Sequence, residues 1–302
     1  MSRQRRSDEI RLAQFTSESG RRQYLTAYEA ALSLWPTEYQ SVQIPTRFGS
    51  THAVISGSER HEPLILVPAA IGVGAIQWHR NVGRLADAHR VVALDLLGAP
   101  GLGTQTAPIL SSGDCADWLV DVIDGLGIDR ARVVGTSQGG WFALNLAVEK
   151  PDRVRRVAAV GPAASLLPFR WPVLWTLRVG PHLPAFTARY TIQANFGRRY
   201  TPDDRFFDLA ATALRHFRYQ DHPIFPSVFT DAELQGLKAA VLVLIGDKEL
   251  IFDPRRALDR ADHLIPSVQT SLIPEAGHLP NMERPEEVVD ALLGFFSESE
   301  QS

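Results

Sequence analysis

The chain has 302 residues, enough to bury one large core and to carry an insertion within it. Its 31 basic and 34 acidic side chains nearly cancel, so no strong field of either sign points to nucleic acid or to an anionic membrane as a partner. Cys115 is the only cysteine, which excludes an intrachain disulfide. The basic start Met1–Arg6 runs into Ser7-Asp8-Glu9 where a signal peptide needs an apolar stretch, and no apolar run is long enough for a transmembrane helix. The expectation is a cytoplasmic protein whose partner is a neutral or weakly charged small molecule.

In chain order, residues 1 to about 20 read as a polar, frayed tail. Tyr24, Tyr28, Ala31, Leu32 and Leu34 then recur at helical spacing up to Trp35-Pro36, so residues 1–38 form a tail and one amphipathic helix. Ser41 to Pro45 and Thr51 to Ser56 alternate about Phe48-Gly49-Ser50, which predicts an antiparallel hairpin. Beyond it the pattern changes to short, continuous apolar runs: Leu64 to Val67, Val91 to Leu94, Val133-Val134, Val157 to Val160 and Val241 to Ile245. Strands of this kind are covered on both faces. Helical stretches Cys115 to Leu126, Gly140 to Lys150, Arg255 to Leu264 and Pro285 to Phe296 alternate with them. The fold class is therefore α/β, a mostly parallel central sheet with helices on both faces, over residues 39–164 and 238–302.

Residues 165–237 break this rhythm. They are rich in Pro, Arg and aromatics and show no clear strand, as an inserted helical cap would. Its aromatics are Phe169, Trp171, Trp175, Phe186, Tyr190, Phe196, Phe206, Phe207, Phe217, Phe225 and Phe229. Most are expected to build the cap's own small core, and a few to roof a pocket.

The chemistry centres on Gly135-Thr136-Ser137-Gln138-Gly139, which follows an apolar run and opens a helical one. In such a strand-to-helix corner, glycine two positions to either side leaves room for a strained serine whose Oγ stands clear of the sheet. The Gln138 amide, at the helix N-terminus, points where an oxyanion would form. A serine hydroxyl needs a base oriented by a third group, and both lie downstream. His278 follows the apolar run Ser271-Leu272-Ile273 on a loop, and Gly246-Asp247-Lys248-Glu249 follows Leu244-Ile245 with two candidate acids. Asp253, before Pro254, is a third, with a helix N-cap as its simpler role.

With these residues in place the chain resembles the α/β-hydrolase family, in particular its capped esterase-like members, over nearly all its length after residue 40. The family's Gly-x-x-Asp pattern matches Gly246 to Glu249, which implies Glu249 as the acid. The loop Pro68-Ala69-Ala70 stands where the family commonly has His-Gly-x, and the resemblance implies the Ala70 amide as the second oxyanion donor beside Gln138. Pro68 has no N–H to offer and Ala69 lacks glycine's freedom. Asp95 to Gly103 is similar to the family's Asp-x-x-Gly-x-Gly loop and reads as a turn without direct chemistry.

The resemblance implies a serine hydrolase that cleaves a carboxylic ester or lactone through Ser137, His278 and Glu249, on a bulky apolar substrate. The same triad also serves C–C bond hydrolysis, acyl transfer and cofactor-free perhydrolysis in this family. A slow or non-catalytic small-molecule receptor is the alternative of another class. Epoxide hydrolases and haloalkane dehalogenases place Asp where this chain has Ser137. No cofactor and no metal are expected. His52, His61, His79, His89, His182, His216, His222 and His263 are scattered among surface or structural positions without metal-ligand spacing. Trp78, Trp141 and Cys115 read as core.

Overall fold

The computed structural model describes residues 10–70, 73–171, 193, 196–197 and 200–297. A nine-stranded sheet forms the centre. Its first strands are β2 (Gln40–Thr46) and β3 (Gly49–Ser56), paired antiparallel as the alternation predicts. The rest of the main path comprises β4 (Pro63–Val67), β5 (Arg90–Leu94), β7 (Ala131–Thr136), β8 (Val154–Val160), β10 (Ala240–Gly246) and β11 (Val268–Ile273). The spatial order is β2-β3-β5-β4-β7-β8-β10-β11, and all pairs from β5 to β11 are parallel. The two-residue β6 (Thr104–Gln105) pairs with β3.

The continuous apolar runs follow from two-sided burial. Ile65, Val133, Val157 and Val243 face one cluster while Leu64, Val134, Ala158 and Leu244 face the other, so successive side chains enter opposite cores. The first core takes α4 (Ser112–Gly125), α5 (Gln138–Glu149) and α8 (Pro254–Leu264). The second takes α2 (Gly74–Trp78), α3 (Val82–Ala88) and α10 (Pro285–Ser297). Trp78 and Trp141 are buried, one in each. Cys115 lies fully buried in the first, where desolvation pushes its thiol up to about 12 and keeps it a neutral packing group.

Two expectations give way at the N-terminal end. The segment after Ile10 is not a frayed tail: Gln14–Phe15 (β1) pairs with Phe217–Arg218 (β9), and Ser17 caps α1 (Glu18–Leu32) by accepting the Gly20 amide. Nor do the described aromatics of the insertion build a core of their own. Phe206 and Phe207 of α6 (Asp204–His216) join Tyr24, Tyr28 and Ala31 of α1 in one buried cluster. Each helix buries its apolar face largely against the other. Local periodicity predicts such faces but not which of them meet. Trp175, Phe186, Tyr190 and His182 lie outside the described residues.

Candidate active site

Ser137 sits between β7 and α5 with φ 53° and ψ −117°, a left-handed conformation unusual for any residue but glycine. Such strain costs about 1–3 kcal/mol and persists only where surroundings enforce it. Here the Ser137 amide donates to Val160 O at 2.9 Å, and its carbonyl accepts from Ala163 N at 3.0 Å. The flanking glycines are required by contact. A Cβ on Gly135 would lie 1.9 Å from Gly139 O, and one on Gly139 would lie 2.3 Å from Val67 O. The elbow helix therefore rests directly on the end of β4.

Two bare strand ends admit the histidine loop. A Cβ on Gly161, after β8, would lie 2.5 Å from His278 O, and one on Gly246, at the end of β10, would lie 2.2 Å from the Ala276 and Gly277 carbonyls. His278 Nε2 consequently reaches Ser137 Oγ at 2.7 Å, and its Nδ1 reaches Glu249 Oε2 at 2.6 Å. All three residues are buried. Glu249 Oε1 accepts the Ile251 amide at 2.7 Å, and Phe252 packs edge-on against the imidazole at 6.4 Å. The competing acids lie elsewhere. Asp253 caps α8 through the Arg256 amide, and Asp247 pairs with Lys248.

Gln138 is the first residue of α5, so its amide has no partner within the helix. Its side chain donates to Ile224 O at 3.5 Å, touching the segment between α6 and α7 (Asp231–Gln235). Ala70 is exposed on the loop after β4. The neighbouring Ala69 amide is already taken by Gln77 Oε1 at 2.6 Å.

Sequence reading misses several polar residues around this site. Asn281 donates to the Gln77 carbonyl and accepts from Thr136 Oγ1, and Asp95 does more than turn the chain. Buried, it accepts from Leu102 N, Gly74 N and Tyr28 OH, and meets His52 Nδ1 at 2.9 Å. Ser41 Oγ lies 2.8 Å from His52 Nε2, but Ser41 belongs to regular strand β2 with no elbow around it. The only signal in the sequence is a polar residue within an apolar stretch, and that does not say what it holds. Among the described residues, no group of three His, Cys, Asp or Glu side chains could hold a metal ion, and no helix is long and apolar enough to cross a membrane.

This sheet order, with the serine at the β7–α5 corner and an acid and a histidine on the loops after β10 and β11, defines an α/β hydrolase. Residues 64–291 match the model of the Alpha/beta hydrolase family, and the chain belongs to that family. Two Bacillus subtilis (strain 168) proteins are similar over nearly the full length of both partners. The one named uncharacterized carboxylesterase nap is 32% identical, covering 93% of this chain and 94% of its own. Carboxylesterase YbfK is 32% identical, covering 92% and 94%. The crystal structure of naproxen esterase (carboxylesterase NP) from Bacillus subtilis superposes with a TM-score of 0.86 at 30% identity, covering 93% of this chain and 99% of that one.

Proposed function

We propose that Ser137, His278 and Glu249 are a catalytic triad with which this chain hydrolyses a carboxylic ester. The enzyme class, a carboxylic ester hydrolase, is that of the two full-length relatives named carboxylesterase. The observation that carries the triad is the unbroken string Glu249 Oε2–His278 Nδ1 and His278 Nε2–Ser137 Oγ, at 2.6 and 2.7 Å. The Glu249 carboxylate fixes the tautomer with hydrogen on Nδ1, so Nε2 is free to take the serine proton as Oγ attacks the carbonyl carbon. The Gln138 and Ala70 amides hold the oxyanion that forms. His278 then returns the proton to the departing alcohol, and water repeats the sequence on the acyl-enzyme.

In this reading residues 165–237 are a cap over the site, 39–164 and 238–302 are the hydrolase core, and 1–38 are the N-terminal segment. The substrate is a bulky, mostly apolar ester or lactone, bound chiefly by burying hydrocarbon beneath the aromatic insertion. Nucleic acid has no part in the activity. The near-balanced charge supports a small-molecule partner, and the single cysteine supports a cytoplasmic setting.

A fluorophosphonate probe followed by peptide mapping tests the mechanism. Label is expected on the peptide that carries Ser137, and label elsewhere ends this reading. Hydrolysis rates across ester chain length and lactone ring size then define the substrate.

A further inference from the structure

Glu283 ends the short helix α9 (Pro280–Glu283), five residues beyond His278. Its buried carboxylate accepts three backbone N–H groups. Gly277 N and Gly197 N donate to Oε2 at 2.9 and 2.8 Å, and Leu279 N donates to Oε1 at 3.3 Å. Gly277 and Leu279 flank His278, so one carboxylate grips the peptide on both sides of the imidazole. The third donor is far away in sequence, between β8 and α6.

At Gly197 the two backbones approach without room for a side chain. A Cβ there would lie 2.7 Å from Glu283 Oε2, and a Cβ on Gly277 would lie 2.7 Å from Gly197 N. A second contact holds the same stretch. Arg80 donates to Met282 O and lies over the Tyr200 ring at 5.5 Å, and that ring packs on Phe196 at 5.3 Å. The insertion is thus fastened to the histidine loop itself, through the carboxylate that shapes that loop.

We propose that Glu283 is a positioning residue that couples docking of the Phe196, Gly197 and Tyr200 stretch to the placement of His278. The insertion then acts on the proton shuttle as well as on the pocket. The proposal rests on the reading of Ser137 and His278 as the reacting pair. Burial raises the Glu283 carboxyl above its ordinary value despite the three amides, with His278, Arg80 and Tyr200 the ionisable groups around it. A neutral isostere should keep the fold while losing one acceptor: in Glu283→Gln the amide oxygen can face Gly277 and Gly197, but its NH2 then meets the Leu279 N–H.

The test uses Glu283→Gln, Gly197→Ala and their combination in the full chain. Each is assayed for kcat and KM on an acetate ester too small to need a roof, for the rate of fluorophosphonate labelling at Ser137, and for melting temperature. Each single variant should lower kcat on the acetate ester by roughly tenfold to a hundredfold with KM nearly unchanged and labelling slowed in step, beside a drop of a few degrees in melting temperature from the disturbed buried contacts. The double variant should be no worse than the poorer single one, because both changes break one linkage. Wild-type kcat in Gly197→Ala, or losses that multiply in the double variant, would overturn the coupling. Should Glu283→Gln fail to fold, Gly197→Ala and its labelling rate decide alone. Failure of the premise looks different: wild-type enzyme would then carry its label on a residue other than Ser137.

Discussion

Thr136 Oγ1 donates to Asn281 Oδ1 at 3.0 Å, tying the residue before Ser137 to the third residue after His278. Asn281 passes the connection on by donating to the Gln77 carbonyl at 2.8 Å, and the Gln77 side chain accepts the Ala69 amide at 2.6 Å. Gln77, Asn281 and Thr136 are all buried, so this string joins the elbow, the histidine loop and the proposed oxyanion loop out of reach of water.

Gln77→Met keeps the volume and removes the acceptor. The buried Ala69 N–H is then left without a partner, at a cost of about 1–3 kcal/mol to folding. Loss of a fixed Ala70 amide should lower kcat by roughly tenfold to a hundredfold with KM on small esters little changed. Denaturant melts and steady-state kinetics on one preparation check both. Unchanged turnover would mean that the Gln77–Ala69 bond does not set the oxyanion loop.

Glu249→Gln separates the acid's charge from its shape. The new side-chain oxygen can still accept from Ile251 N, which leaves the NH2 group facing His278 Nδ1 and imposes the wrong tautomer. Turnover should fall on the order of a thousandfold or more, as in Ser137→Ala, with the fold intact. Asp247→Asn and Asp253→Asn should stay near wild type, the second because Asn also caps helices well. An inactive Asp247→Asn beside an active Glu249→Gln would move the acid by two residues.

Selectivity is best probed by point substitution. Replacing 165–237 with a linker would strip α6 from α1 and expose Tyr24 and Tyr28, confusing selectivity with collapse of the fold. Ile224, within the insertion, meets the elbow where its carbonyl accepts from the Gln138 side chain. Ile224→Ala should raise KM for bulky esters several-fold more than for an acetate ester, since about 25 cal/mol is lost per Å² of apolar contact removed. Equal changes for both esters would show that this edge of the insertion shields the core without selecting substrate.

Stability should weaken in mild acid. Burial depresses the basicity of His79 and His89, and neighbouring Arg132 adds to the effect at His89. A histidine whose folded pKa is lowered contributes stability that is complete above its unfolded value of about 6.5 and is lost as pH falls through the folded value. Melting temperature should therefore drop below pH ~6.5, and His89→Phe, which can still pack on Phe296, should flatten that drop. An unaltered pH profile in His89→Phe would assign the acid sensitivity to other groups.

Much of this architecture was legible because the physics is local. The runs at Leu64, Val91, Val133, Val157 and Val241 announce strands buried on two faces, and Gly135 and Gly139 announce a corner that admits no side chain. Order along the chain then places Glu249 and His278 on loops after adjacent strands, where the structure brings them together with Ser137. The pairing of α1 with α6 was not legible, since two amphipathic faces carry no address for one another. Nor were Glu283, Gln77 and Asn281, whose partners are mainly backbone groups distant in sequence.

The cluster shared by α1 and α6 has a consequence for how the chain is made. Translation completes α1 at Leu32 but does not reach α6 until Asp204, an interval of roughly ten to thirty seconds at ordinary elongation speeds. Through that interval Tyr24, Tyr28 and Ala31 lack the part of their cover that Phe206, Phe207 and Ala210 supply, and neither β1 nor Arg11 has met β9 or Asp221. Docking of α1 against α6 must come after most of the sheet has been synthesised, as a late event in folding.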